Sequence, residues 1–432
     1  MEVEESTTHL KTTATGKISS NLFLLLFYLH LLVAAVLTIF LTIRGLVFSS
    51  RFNHHHHHFH PLHWYPPLLT SSACAAITAF SWHAATRCNP SKTIKAAFWL
   101  SPLLTFGAGI LLLAIGSASG LATAAFVLIF ALTQSLYACW IVPRLDYTTK
   151  ILTVSLSTPP SHTPSLFVAV SLITGTTYSC FSLSGIGGAT ATWTRFDPLF
   201  IFVILLSLAW TMHVIKNVLH VTISRVSYTY FAHALEVGTR VAFKDTLKYS
   251  MGSVCIGSVL VPVLSVFRGL ARAMNVASGD TDEFMFSCTN CYSGVAGRLV
   301  TYGNRWGFVH VGAYGKGFVQ ASMDTWEMFR RVGMESLIDS DLTGSFCFLC
   351  GVAGGSLCTL VGGSWALAVG SGHATEVSIY AFLIGYFMSR IAMSSPQACV
   401  SAYHVAFAEN PQSLRFDSTI PDRIRELQRS QV

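Results

Sequence analysis

Apolar residues in this chain fall into long, nearly unbroken runs separated by short polar stretches. A helix needs about 20 apolar residues to cross the hydrocarbon core of a bilayer. Runs of that length predict spans at roughly 22–43, 67–86, 96–117, 121–142, 165–188, 199–221, 249–267, 344–369 and 376–400. A weaker tenth candidate, 284–303, suits a broken or semi-buried helix better than a lipid-exposed one. The alternation that a membrane β-barrel requires is missing. The pattern predicts an all-α fold, a polytopic helical membrane protein with about ten transmembrane helices. Residues 1–20 are polar and rich in Thr and Ser, and are expected to form a disordered cytoplasmic N-terminus. A transmembrane domain over 21–407 and a cytoplasmic tail over 408–432 complete the expected organisation.

Charge adds an orientation. Only 11% of residues are charged and 52% are hydrophobic, too little charge to cover a soluble surface. The net charge of +7 is spread over loops. That is the cytoplasmic bias of Lys and Arg in multispan proteins, and it argues for a lipid bilayer and against nucleic acid as partner. With the N-terminus inside, the inner loops carry Arg87, Lys92 and Lys95, then Arg144 and Lys150, then Arg240, Lys244 and Lys248. The outer loops carry nothing at Gly116–Gly120 and only Arg195 between spans five and six. Arg415, Arg423, Arg425 and Arg429 place the C-terminus inside as well. Two inner termini need an even number of crossings, which favours ten over nine and leaves Arg268 and Arg272 outside. The first apolar run, ending at Val47, has no basic region before it and reads as a retained span.

Enzyme signatures are absent: there is no phosphate-binding G-x-x-x-x-G-K-[ST], no G-x-S-x-G and no H-E-x-x-H. The chain is not expected to be an enzyme or to hold a cofactor. The His54–His58 run reads as a low-complexity tract, and the pairs Cys288/Cys291 and Cys347/Cys350 do not make a credible zinc site, so no metal is expected. Glycines at 107, 109, 185, 187, 188, 351, 354 and 355 sit inside spans, where small residues let helices approach closely. They read as tight packing, with broken helices in spans five and nine as the alternative. Span six is chemically richer: Trp210, His213, Lys216, Asn217, His220, Thr222, Arg225, Tyr228, Tyr230 and Phe231. Ionisable groups at membrane depth are costly and tend to face a cavity or a partner.

The most distinctive segment is Asn304–Ile338, which, with Gly303 just before it, sets five glycines between 303 and 317 against Trp306, Phe308, Tyr314, Phe318 and Trp326. Together with Phe243–Met274 and the ending Tyr403–Pro411 (YHVAFAENP), it resembles the choline transporter-like family of solute carriers, in its plant and fungal branch. The likeness runs from about Trp210 to Pro411, and the first 200 residues resemble the family only in hydropathy. It implies ten spans, inner termini, a plasma-membrane address and carriage of choline or a related small organic cation. The large extracellular loop of animal members is missing. The family's Thr-[VI]-Ala-Gly stretch reads Thr222-Ile223-Ser224-Arg225, where a cation would disfavour a cationic substrate.

A quaternary ammonium cannot donate hydrogen bonds, so its site offers aromatic faces, each contributing about 0.5–2 kcal/mol. Trp210, Tyr228, Tyr230 and Phe231 are the aromatic candidates, with Asn217 or Thr222 as partner for the hydroxyl. Asn304, Tyr314, Gly315 and Lys316 are expected to form an inner gate or brace. Asp245, Asp324 and Glu409 are the acids to consider for proton coupling. The alternative function is a non-transporting scaffold in lipid or vesicle trafficking.

Overall fold

The computed structural model describes residues 2–51, 61–157, 163–192, 194–278, 299–413 and 416–429. Among them there is no strand. The helices are α1 (Glu2–Arg51), α2 (Pro61–Cys88), α3 (Pro90–Ile115), α4 (Ala118–Ile141), α5 (Asp146–Ser157), α6 (Thr163–Thr192) and α7 (Asp197–His233). There follow α8 (Thr239–Asp245), α9 (Met251–Ser278), α10 (Phe308–Tyr314), α11 (Phe318–Val332), α12 (Glu335–Ser340) and α13 (Thr343–Ala368). The last three are α14 (Ala374–Ala392), α15 (Ser394–Glu409) and α16 (Thr419–Arg429). Two π-helical stretches, Thr246–Ser250 and Leu299–Gly307, lead into α9 and α10. The tenth span candidate, 284–303, falls mostly outside the described residues, as do Cys288, Cys291 and the His54–His58 run.

Eight stretches of the described residues are helical, long and apolar enough to cross a membrane. They match the sequence pattern for every predicted span but the second, where α2 reaches 28 residues with Pro66 and Pro67 inside it. Boundaries follow local chemistry. Gly116, at φ 71°, ends α3 in the left-handed region that suits glycine, and Ser117 then caps α4 by accepting from the Gly120 amide at 2.9 Å. Leucines, isoleucines and phenylalanines on α1, α3, α4 and α6 remain exposed as a lipid-facing belt.

The glycines prove to be packing devices. A side chain on Gly355 would meet the Phe382 carbonyl at 2.8 Å, and one on Gly351 would meet Arg390 Cδ at 2.9 Å, so α13 and α14 touch backbone to backbone. Gly188 rests on the Leu41 carbonyl in the same way, joining α6 to α1. Both α6 and α13 run unbroken. The interrupted helix is the last one: the predicted span 376–400 divides at Met393 into α14 and α15. Every residue from Ser394 to Ala408 is buried, so α15 is an interior helix packed on α7 and α5. Pro396 lies in its first turn, where a missing amide hydrogen breaks no helical bond.

Candidate functional site

The central cavity is bounded by α7, α9, α13 and α14. It holds about 300 Å³ and is lined by Met212, His213, Lys216 and Asn217 of α7, and by Gly257, Val261, Pro262 and Ser265 of α9. Phe348 of α13, and Tyr386, Phe387 and Arg390 of α14, complete the wall. Residues 212–217 lie at the middle of α7, whose 37 residues give a length of about 55 Å, well over the hydrocarbon thickness of about 30 Å.

Polar groups here are distinctive. Lys216 is 6% exposed and Asn217 4% exposed. Among the described residues no hydrogen bond or ion pair reaches Lys216 or Arg390, and Arg390 Nη1 is a buried donor without acceptor. Asn217 donates through Nδ2 to Ser258 Oγ at 2.9 Å, which leaves its Oδ1 as a buried acceptor without donor. His213 Nδ1 lies 3.1 Å from the Ala209 carbonyl. A carbonyl can only accept, so Nδ1 carries the proton and Nε2 of the neutral ring is an acceptor. The aromatic side is continuous: Tyr386 meets Phe348 at 6.1 Å and Phe387 at 5.6 Å edge to face, and His213 meets Phe387 at 5.6 Å. A sphere of this volume is about 8 Å across, and two unit charges at that separation repel by about 2 kcal/mol at an effective dielectric of about 20.

Of the six substrate-binding candidates from the sequence, Asn217 lines this cavity and the other five lie elsewhere. Trp210 packs toward α1, 4.5 Å from the His30 ring and 5.4 Å from Phe27. Thr222 is buried and donates to the Val218 carbonyl at 2.8 Å. Tyr230 packs on Phe231, and Phe231 meets Tyr403 edge to face at 5.0 Å. Arg225 does not stand as a free cation: Asp245 pairs with it at 2.9 Å.

Tyr228 belongs to a different cluster at the far end of α7. Its hydroxyl donates to the Glu409 carboxylate and lies 2.5 Å from the Tyr314 hydroxyl, which itself reaches Glu409 at 3.0 Å. One contact set thus ties α7, α10 and α15 together. Gly315 ends α10 at φ 65°, and Lys316 pairs with Asp324 of α11 at 2.6 Å. The side chain of Asn304 lies outside the described residues. Next to it, Arg305 forms a buried pair with Asp341 at 2.5 Å, and Asp341 also accepts from the Thr343 amide at the start of α13.

Arg390, Tyr386, Phe387 and Phe348 were not picked out from the sequence. Arg390 carried a usable signal, being an ionisable residue within a predicted span. Among the described residues no group of three or more His, Cys, Asp or Glu side chains could hold a metal; Cys347 and Cys350 are buried in α13.

Comparison with known proteins adds a lineage to this geometry. The sequence model of a family described as plasma-membrane choline transporter matches residues 125–412. That match reaches well upstream of Trp210, where the recognisable motifs begin. Protein PNS1 of Mycosarcoma maydis is 28% identical over 222 residues, which are 48% of this chain and 42% of the relative. Protein PNS1 of Yarrowia lipolytica is 29% identical over 218 residues, 47% of this chain and 38% of the relative. The matched part therefore spans well under half the length of these fungal relatives.

Proposed function

The chain belongs to the plasma-membrane choline transporter family, a transporter and not an enzyme class, and we propose that it is itself a carrier of choline or a related small organic cation. As a multi-pass protein of that family it would act at the plasma membrane. The observation that carries this reading is the cavity bounded by membrane-spanning helices and equipped at once with aromatic faces and hydrogen-bond acceptors. Phe348, Tyr386 and Phe387 can take a quaternary ammonium through cation–π attraction. Asn217 Oδ1 and His213 Nε2 are acceptors suited to a hydroxyl donor. The expected gate residues fit the same reading: Tyr314 ends α10 and joins the cluster that holds the inner end of α7, and Gly315 and Lys316 lie in the turn that follows.

Uptake of labelled choline by liposomes containing the purified full chain tests the proposal. Saturable uptake above protein-free liposomes is expected, with at least a tenfold loss in Asn217→Ala and Tyr386→Ala. Uptake equal to empty liposomes for every quaternary amine tried, together with a stably bound partner protein, would favour the trafficking scaffold instead.

A further inference from the structure

We infer that the central cavity contains an anion site built by Lys216 and Arg390, so that the transported species enters with a negative group. This rests on the carrier reading for its biological meaning, but the site itself stands on charge and packing. Lys216, His213 and Arg390 line one cavity of about 300 Å³, and none of its described lining residues is a carboxylate. Among the described residues no acid pairs with these cations, and four acids of the bundle are engaged elsewhere. Asp197 holds Arg44, Asp245 holds Arg225, Asp341 holds Arg305, and Glu409 holds Tyr228 and Tyr314.

Among the described residues neither the buried Lys216 nor the half-buried Arg390, whose Nη1 is itself buried, meets a counter-charge, an arrangement that proteins otherwise avoid. Arg390 is also deliberately accommodated. Gly351 of α13 lies beneath its side chain, where any Cβ would come within 2.9 Å of Arg390 Cδ and 3.0 Å of the Tyr386 ring. A guanidinium with an unpartnered Nη1 beside a buried ammonium is a donor set for a carboxylate, a phosphate or a halide. Across the same space the aromatic wall remains suited to a quaternary ammonium. One cavity therefore matches both poles of a zwitterion such as a trimethylammonium carboxylate, or a choline cation accompanied by an inorganic anion.

Thermal unfolding of the purified full chain in detergent, in a low-salt buffer whose anion is a bulky sulfonate, separates these sources. Chloride, inorganic phosphate, glycine betaine and choline as its sulfonate-buffer salt are titrated one at a time, and choline is repeated with chloride present. An anion-dependent rise in the midpoint by several degrees is expected for wild type. Lys216→Met and Arg390→Met should each abolish the rise, while Lys216→Arg keeps it. Lys216→Met removes an unpaired buried charge and Arg390→Met a half-buried one, so both should fold at least as well as wild type. A response to glycine betaine alone assigns the anion to the solute, and a chloride requirement for the choline response assigns it to an accompanying ion. No anion response in wild type, or an equal response in both Met variants, overturns the site. This readout needs no flux, so a protein that binds anions but moves no choline-class solute would reject the carrier reading and leave the site standing.

Discussion

Arg305 and Asp341 meet in the protein interior, where the charge on each side chain is tolerated because the other is present. Removing one partner of a buried pair costs about 3–5 kcal/mol, whereas replacing both with apolar groups is often close to neutral. Arg305→Gln should therefore lower the unfolding midpoint sharply, and Arg305→Leu/Asp341→Leu should recover much of the loss in the same melting experiment. Gly315 makes a contrasting case. A Cβ there meets nothing within 4 Å, so only its φ of 65° resists substitution. A left-handed conformation costs an L-residue about 1–2 kcal/mol, most for β-branched side chains. Gly315→Val should reduce surface expression and flux, and Gly315→Asn should do so much less; if Gly315→Val left both intact, the gate or brace role would be lost. Tyr314 and Gly315 were legible in the sequence because aromatic and turn residues are anomalous in a hydrophobic chain. Lys216 was legible as a costly charge within span six. Its association with Arg390 was not, because helix-to-helix proximity across such a sequence separation leaves no periodic trace.

At the scale of elements, hydropathy identified where the helices are, and it failed where burial comes from protein instead of lipid. The span predicted at 376–400 is apolar throughout, yet α15 is interior and begins anew after Met393. Ser394-Ser395-Pro396 carried the signal for that break, since proline belongs in a helix's first turn and not in its middle. The tail holds an element that hydropathy does not reveal. Residues 408–432 read as a cytoplasmic tail, and within them Thr419–Arg429 form the amphipathic α16, packed on α5 and α12. Ile420 is fully buried there, and Tyr403 donates to Asp417 at 2.8 Å just before it. Arg423 stacks over Tyr147 of α5 at 5.8 Å, so α16 braces α5 against the bundle. Ile420→Ala removes a buried branched side chain, a loss of about 2 kcal/mol or more. Amide exchange across 416–429 should then quicken by at least tenfold, with the spans unchanged; uniform acceleration everywhere would show that α16 is not a separable brace.

Across the whole molecule, α7 is held at both ends, and the cavity lies between the two holds. Near its start, Asp197 binds Arg44 of α1 and accepts from Thr192 of α6. Near its end, Tyr228 joins Tyr314 of α10 and Glu409 of α15. The loop charges put the first hold outside and the second inside. On the proposed carrier reading the site opens to one side at a time, so one hold has to loosen while the other persists. Weakening a hold should bias that equilibrium toward the side it closes, because a state is populated according to its free energy. The prediction is directional. A reporter, Ser265→Cys, is placed in the cavity wall of a chain whose exposed Cys88 and Cys139 are replaced, and a membrane-impermeant thiol reagent is applied to either side. Glu409→Gln should raise labelling from the inside by at least threefold, and Asp197→Asn should raise it from the outside. If either variant raised labelling equally from both sides, the holds would be general supports of the bundle, and α7 would not be the element that alternates.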